Sequence, residues 1–578
     1  MLRCMRLSLG LLLVFNIGIQ VQAAESGLDA VSQDAALVIR LKNPKATVGK
    51  VAELADQVVP GIGDQVRSQI DLLGNGISNP TMAGVDSEND WYIGMFTKKV
   101  EGASNDEPVF LFVIPATDLK AMKEGLGESF KFAEHGKLGV YTTDEATFKA
   151  ASARIKGDGK SISTLIEKDS AAVFDAGDLS VFINVKQLLI DYKDELAEGK
   201  EKFKQQLENL PTPPAGGVNP AQVAEIANKV IQMLSEGLED TESCTIGTVV
   251  SKEGLSFDDL VKVKKGSATE KLLNKSPAST LATFSTLPAG HLGYFGLSWD
   301  MADLMKMSQS MMAVGANSQN AEASKELKAA MEEAAKLKVT AMASAFGLGD
   351  PDTGAVRTVS ITEVDNPQKM RDASQKMMKA SEKVASQGVK QTFDLKKDAE
   401  KFGKNSADVV TVKMDMSEMP DPTAAQMSER VMAGLFGPDG MVTRVVYLKD
   451  RVVQTMGGGK QAMTDALAAT EQGATGSSKS AYVQARGKLG AKANLVVLFD
   501  LPNTLAKILD LVVQAQVLPL PLDPNQVKGL QSSPSYIGLS AGVEPQGLRV
   551  KTLIPVEQMQ GIAKIVMFFQ QTLGGVGQ

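Results

Sequence analysis

The side chains able to carry chemistry in this 578-residue chain are few: His135, His291, Cys4 and Cys244 complete its histidines and cysteines. A hydrolase of the serine or cysteine type needs a base hydrogen-bonded to a nucleophile. No Gly-x-Ser-x-Gly elbow occurs, and no order of Ser, His and Asp suggests a triad. Structural zinc wants four sulfur or imidazole ligands, more than two scattered histidines and the one cysteine left after signal cleavage supply. Asp86, Glu88 and Asp90, and again Asp350 and Asp352, alternate as calcium-loop acids do. Trp91 stands where an EF-hand turn needs glycine, and neither run has its glutamate, so turns explain both. Met456-Gly457-Gly458-Gly459-Lys460 invites comparison with a phosphate-binding loop. Gln454 and Gln461 occupy the positions where that loop needs glycine and a hydroxyl residue. The matching place earlier in the chain, Thr142 to Glu145, has no glycine, and a flexible approach to a helix is expected instead.

Methionine is abundant, with 26 residues. Met301, Met305, Met307, Met311 and Met312 form one group and Met414, Met416 and Met419 another, and thioethers are soft enough for Cu(I). Met301, Met305 and Met312 nevertheless share a helical stripe, where methionine is an adaptable core filler. Cys244 opens an apolar strand pattern ending at Val250, and is expected to be partly buried and inert, with pairing between chains as the alternative. The expected catalytic, cofactor-binding and metal-binding residues are therefore none.

The elements that would position any site repeat. A short apolar strand ends at an Asx residue and runs into an amphipathic helix four times: before Asn43, Asn184, Asp300 and Asp500. The Asx side chain suits a helix N-cap, accepting from free N–H groups of the first turn. Each copy is followed by a strand pair and another helix, and Val250 to Leu255 matches Val543 to Leu548 in detail. Closing strands are expected at Leu138–Tyr141, Leu281–Phe284 and Val409–Val412. The fold class is α+β: four tandem β-α-β-β-α(-β) ferredoxin-like units, antiparallel sheets with helices on one face. The units span 24–177, 178–287, 288–480 and 481–578, the first and third with extensions. Two related halves, 24–287 and 288–578, follow. Pro211 to Pro220, Gly315 to Ser318 and Gly473 to Ser480 read as connections.

The first 23 residues read as a signal peptide: Arg3 and Arg6, an apolar stretch from Leu7 to Ile19, and a small-residue cleavage site at Ala23. That stretch would rise about 20 Å as a helix, short of the roughly 30 Å hydrocarbon core, so no anchor is expected after cleavage. Cys4 lies ahead of the apolar stretch, which argues against a lipoprotein. A net charge of −7 gives no footprint for nucleic acid.

The opening Asp34 to Pro44 and the Ile-Pro junctions at Ile114-Pro115 and Ile554-Pro555 resemble a family of uncharacterised secreted bacterial proteins common in planctomycete-type genomes. That resemblance implies export and an α+β repeat, and carries no site residues. The expected function is that of an exported, non-catalytic binding or structural protein of the periplasm or cell surface, with an envelope or extracellular partner. A carrier of an apolar ligand such as lipid, held between sheet faces or helices, is the alternative. A carboxylate-dependent hydrolase stands third.

Overall fold

A computed structural model describes residues 27–68, 72–97, 108–208, 220–299, 321–349, 354–382, 390–415, 422–473, 480–514 and 522–574. The signal-like start, Asp300, the 301–312 methionines, Asp350, Asp352, Met416, Met419 and the Gly315 connection lie outside the described residues. Contacts divide the chain into two compact units, Met1–Ala46 with Gln69–Ala171, and Thr47–Ser68 with Ala172–Gln578.

The first unit is built on five antiparallel strands: β1 (Leu37–Leu41), β2 (Trp91–Phe96), β3 (Val109–Pro115), β4 (Lys131–His135) and β5 (Leu138–Thr142). Their order is β1-β2-β3-β5-β4. Trp91, Ile114, Met122 and Tyr141 form its core, and the Tyr141 hydroxyl donates to the Ile77 carbonyl at 2.7 Å. A buried phenol without such a partner would lose its hydration for nothing in return.

In the second unit the strands are β6 (Leu179–Ile183), β7 (Thr241–Ser251), β8 (Gly254–Val263), β9 (Gly293–Leu297), β10 (Val339–Leu348) and β11 (Val356–Val364). They continue with β12 (Lys390–Phe402), β13 (Asn405–Asp415), β14 (Met441–Tyr447), β15 (Arg451–Met456), β16 (Leu495–Phe499), β17 (Ile537–Glu544) and β18 (Gly547–Pro555). All are antiparallel to their neighbours, in the order β6-β7-β8-β18-β17-β16-β9-β10-β11-β15-β14-β13-β12.

One three-strand order recurs among the described residues: β1-β2-β3, β6-β7-β8, β9-β10-β11 and β16-β17-β18. The ferredoxin-like order expected for these units is not the one observed. A split βαβ holds its first two strands parallel with another strand between them. Here the first strand lies antiparallel beside the second, as in the pairing of Leu37 with Met95. Two of the expected closing strands also differ. Leu281–Phe284 is not a strand: Leu281 takes a left-handed φ of 49° and Ala282–Thr286 is a 3-10 turn that plugs the core with Phe284. Val409–Val412 lies in β13, and the strand beside β11 is β15. Leu138–Tyr141 does form the strand beside β3.

Within the second unit these three-strand groups join by their edges. Strand β9 pairs with β16, and β8 with β18, like edge to like edge. The β8–β18 joint has a local two-fold character. The Val556 N–H donates to Glu253 O at 3.0 Å and the Val263 N–H to Gln546 O at 2.9 Å, each acceptor preceding a glycine. Those glycines are close approaches. A Cβ on Gly254 would stand 2.1 Å from Ile554 O, and one on Gly547 2.3 Å from Val261 O. Gly254 also has φ +128°, whereas the second hairpin places its positive φ at Gln546, 58°.

The register draws two faces across the sheet. One row runs Val453, Ile361, Ala343, Gly296, Val496 and Ser540. It is buried, with small residues where neighbours press in: a Cβ on Gly296 would meet Phe284 at 2.7 Å. The adjacent row runs Gln454, Ser360, Ser344, Phe295, Val497 and Leu539 on the opposite face. Its apolar members are only half-buried. Helices are not confined to one face as expected. Helix Gly459–Gln472 packs Met463, Ala466 and Leu467 on the first face, and helix Pro367–Ser381 packs Met370 on the second.

Candidate functional site

The half-buried face becomes a cleft where helix Pro367–Ser381 crosses β12–β15. Asn366 caps that helix, accepting from the Lys369 N–H at 2.9 Å, and Pro367 fits its first position. The spacing of Met370, Ser374, Met377, Met378 and Ser381 turns one stripe of it toward the sheet. Alternation along the strands supplies the floor: Phe393 and Leu395, Val410, Val445 and Val452, the last three at most 9% exposed. The cleft is partly open and its volume is about 320 Å³, within the range of small-molecule sites, which are mainly apolar with a few placed polar groups.

One end of the cleft is polar. Asp408, 3% exposed, accepts from Arg371 Nε at 2.7 Å and also from its Nη2, a two-pronged pair. The Asp398 N–H adds a bond to Asp408 at 2.9 Å, and the Asp398 carboxylate takes Arg371 Nη2 at 3.2 Å. Asp398 sits at a break in the β12–β13 register with φ 50°. Bonding to Asp408 raises the Arg371 pKa above its ordinary value, so the charge is permanent; Ser406 and Arg371 hold Asp398 low. The guanidinium lies 5.4 Å from the Tyr447 ring centre, and burial pushes the Tyr447 phenol up to about 12. This end therefore sets two acidic side chains on one guanidinium, with Lys401 close enough to Asp398 to help hold its pKa low. Gln375 also stands in the cleft wall, and its Nε2 is buried and meets no acceptor.

The residues singled out for their chemistry are placed elsewhere. Three of the four Asx residues are caps: Asn43 accepts from Ala46 N, Asn184 from Gln187 N and Asp500 from Asn503 N. Asp500, 2% exposed, also takes Asn503 Nδ2 and Gln558 Nε2, which satisfies its charge with amide donors. Asp90 accepts from Arg40 and the Asn43 N–H, Glu88 pairs with Lys45, and Asp86 accepts from the Glu88 N–H. Asp144 caps helix Glu145–Ile155. Gly457, Gly458 and Gly459 all take positive φ near 65–70°, and a Cβ on Gly457 would stand 2.1 Å from Val356 O. Their role is a tight strand-to-helix connection.

His135 ends β4. His291 precedes β9 with its backbone bonded to two tyrosines: its N–H to Tyr294 Oη, its carbonyl to Tyr536 Oη. Burial, with smaller contributions from Lys507 and Arg357, pushes its imidazole pKa down. Cys244 lies within β7, which begins at Thr241 rather than at the cysteine. It is half-buried, and burial together with the charge of Asp259 pushes its thiol pKa up, away from thiolate chemistry. Met414 lines a second recess, with Met432, Phe436 and Met441. Among the described residues no three His, Cys, Asp or Glu side chains group as metal ligands, and no helix is long and apolar enough to cross a membrane.

Met370, Met377, Met378 and Gln375 were not among the candidate residues. The spacing of Met377 and Met378, each about two helical turns from Met370, was the available signal. No protein family, curated protein or solved structure matches this chain.

Proposed function

We propose that this chain is an exported, non-catalytic binding protein that carries a small apolar ligand in the cleft beneath helix Pro367–Ser381. The observation that carries the proposal is the cleft itself: a 320 Å³ space walled by methionine, aliphatic and phenylalanine side chains. At about 30 Å³ per water-sized group it holds roughly ten non-hydrogen atoms. Methionine walls suit a ligand of variable shape, since the thioether arm re-packs at little cost. The non-catalytic part is supported by the settled roles of the reactive groups, a protonated thiol at Cys244, a neutral buried His291 and Asx residues used as caps.

The four three-strand groups are proposed to be copies of one ancestral βαββ unit, and membership of the secreted family of planctomycete-type genomes is proposed on the same basis. The matched glycines and reciprocal hydrogen bonds of the β8–β18 joint support the copying. Export rests on the signal-like first 23 residues.

Organic extraction of the purified chain followed by mass spectrometry tests the ligand. The expected result is an apolar compound of that size near one per chain, lost in Met378→Glu, where a carboxylate enters the cleft. A clean extract, together with no uptake of added alkyl compounds, would overturn the proposal.

A further inference from the structure

We infer that the ligand is a neutral medium-chain acyl compound whose carbonyl oxygen is received by the side-chain amide of Gln375; this deepens the carrier proposal and rests on it. Buried polar atoms in folded proteins are almost always hydrogen-bonded, and one left over in a cleft asks what completes it. Gln375 stands on the helix wall among Met370, Ser374, Met377 and Met378, its Nε2 buried and unpartnered, and a turn of the side chain brings that donor to a ligand in the cleft. An N–H donor requires an acceptor, which a hydrocarbon lacks and an acyl carbonyl provides.

The charge at the cleft's end selects among acyl compounds. Arg371 is the cation there, and its fork is taken up by Asp408 and Asp398. With its fork committed to two acidic side chains, Arg371 offers little to a ligand carboxylate, whereas an ester or amide makes no demand on it. The volume admits about ten non-hydrogen atoms, which corresponds to an acyl chain of roughly eight carbons with its ester group.

The test measures binding of methyl octanoate and of decane to the full chain by depletion from the headspace, and of octanoate by calorimetry at pH 8. Wild type is compared with Gln375→Met, which keeps the length of the side chain and removes the donor, and with Gln375→Glu, which replaces the donor by an acceptor. Loss of one neutral hydrogen bond predicts about tenfold weaker binding of methyl octanoate to Gln375→Met, with decane unchanged. Gln375→Glu should lose at least as much, and octanoate should bind wild type more weakly than its methyl ester. If Gln375→Met lowers ester and decane binding equally, or neither, the amide does not read an oxygen and this inference fails while the carrier proposal stands. Tighter binding of octanoate than of the ester refutes the preference for a neutral ligand. If wild type takes up none of the three compounds, the carrier proposal itself fails.

Discussion

Replacing Gly547 by alanine puts a methyl group 2.3 Å from the carbonyl oxygen of Val261, inside any tolerable contact distance. Because the obstacle is backbone, β8 and β18 must separate locally by about 1 Å. The reciprocal bonds from Val263 N to Gln546 O and from Val556 N to Glu253 O sit at the ends of this joint. Losing the nearer one costs about 1 kcal/mol. Strain in the adjacent register brings the total for Gly547→Ala to about 2–3 kcal/mol. Gly254→Ala meets Ile554 O at 2.1 Å and carries φ +128° as well, so about 1–2 kcal/mol more is expected. Gly266→Ala is the control: φ is +77° but nothing lies within 4 Å, and only the conformational cost of about 1 kcal/mol remains. The double variant at Gly254 and Gly547 should cost about as much as the two single changes together, because the two contacts lie at opposite ends of the joint. Urea midpoints give the totals, and hydrogen exchange over 254–263 and 547–555 localises them. A Gly547→Ala chain with unchanged midpoint and unchanged exchange in both strands would refute the claim that this joint is a close backbone approach.

His291 predicts a pH response. Its folded pKa lies below the unfolded value of 6.5, so the unfolded chain binds the proton more readily. Stability is then full above about 6.5 and falls as pH drops toward the folded pKa; urea midpoints between pH 7.5 and 5 should fall less in His291→Phe than in wild type. Arg371→Met strands the 3%-exposed carboxylate of Asp408 and should cost about 3 kcal/mol, while the double change with Asp408→Leu recovers much of it by a thermodynamic cycle. Among the caps, Asn184→Ala should cost about 1 kcal/mol, and Asp500→Ala, which also unseats Gln558 and Asn503, about 3 kcal/mol in the same denaturation assay. N-terminal sequencing of the chain recovered from the envelope or medium should begin at Ala24; an intact Met1 start in a cytoplasmic fraction would contradict export.

Local chemistry carried much of the fold into the sequence. Asx residues ahead of amphipathic stripes mark Asn43, Asn184 and Asp500 because a cap is a three-residue affair. Apolar alternation marks β14 and β15 around Asp450, and the helix after Pro555. Strand order was hidden, because a strand-helix-strand pattern reads the same whether the second strand lies beside the first or one place away. β12 was hidden for another reason. Its sequence, Lys390 to Phe402, alternates charges as an edge strand does and carries little apolar signal. Leu281 to Thr286 looks like a strand by composition, yet left-handed Leu281 turns it into a plug for the tyrosine cluster. The cleft depends on register between strands far apart in sequence, and Gln375 reads as an ordinary solvent-facing helix residue until that register is known.

The most direct test of the carrier proposal is photolabelling with an alkyl ester that bears a diazirine near the end of an eight-carbon chain, followed by peptide mapping. Modification is predicted on helix Pro367–Ser381 and on β12–β15, centred on Met370, Met378, Phe393 and Leu395, and suppressed by excess methyl octanoate. Labelling that falls elsewhere, or that competitor leaves unchanged, would contradict it.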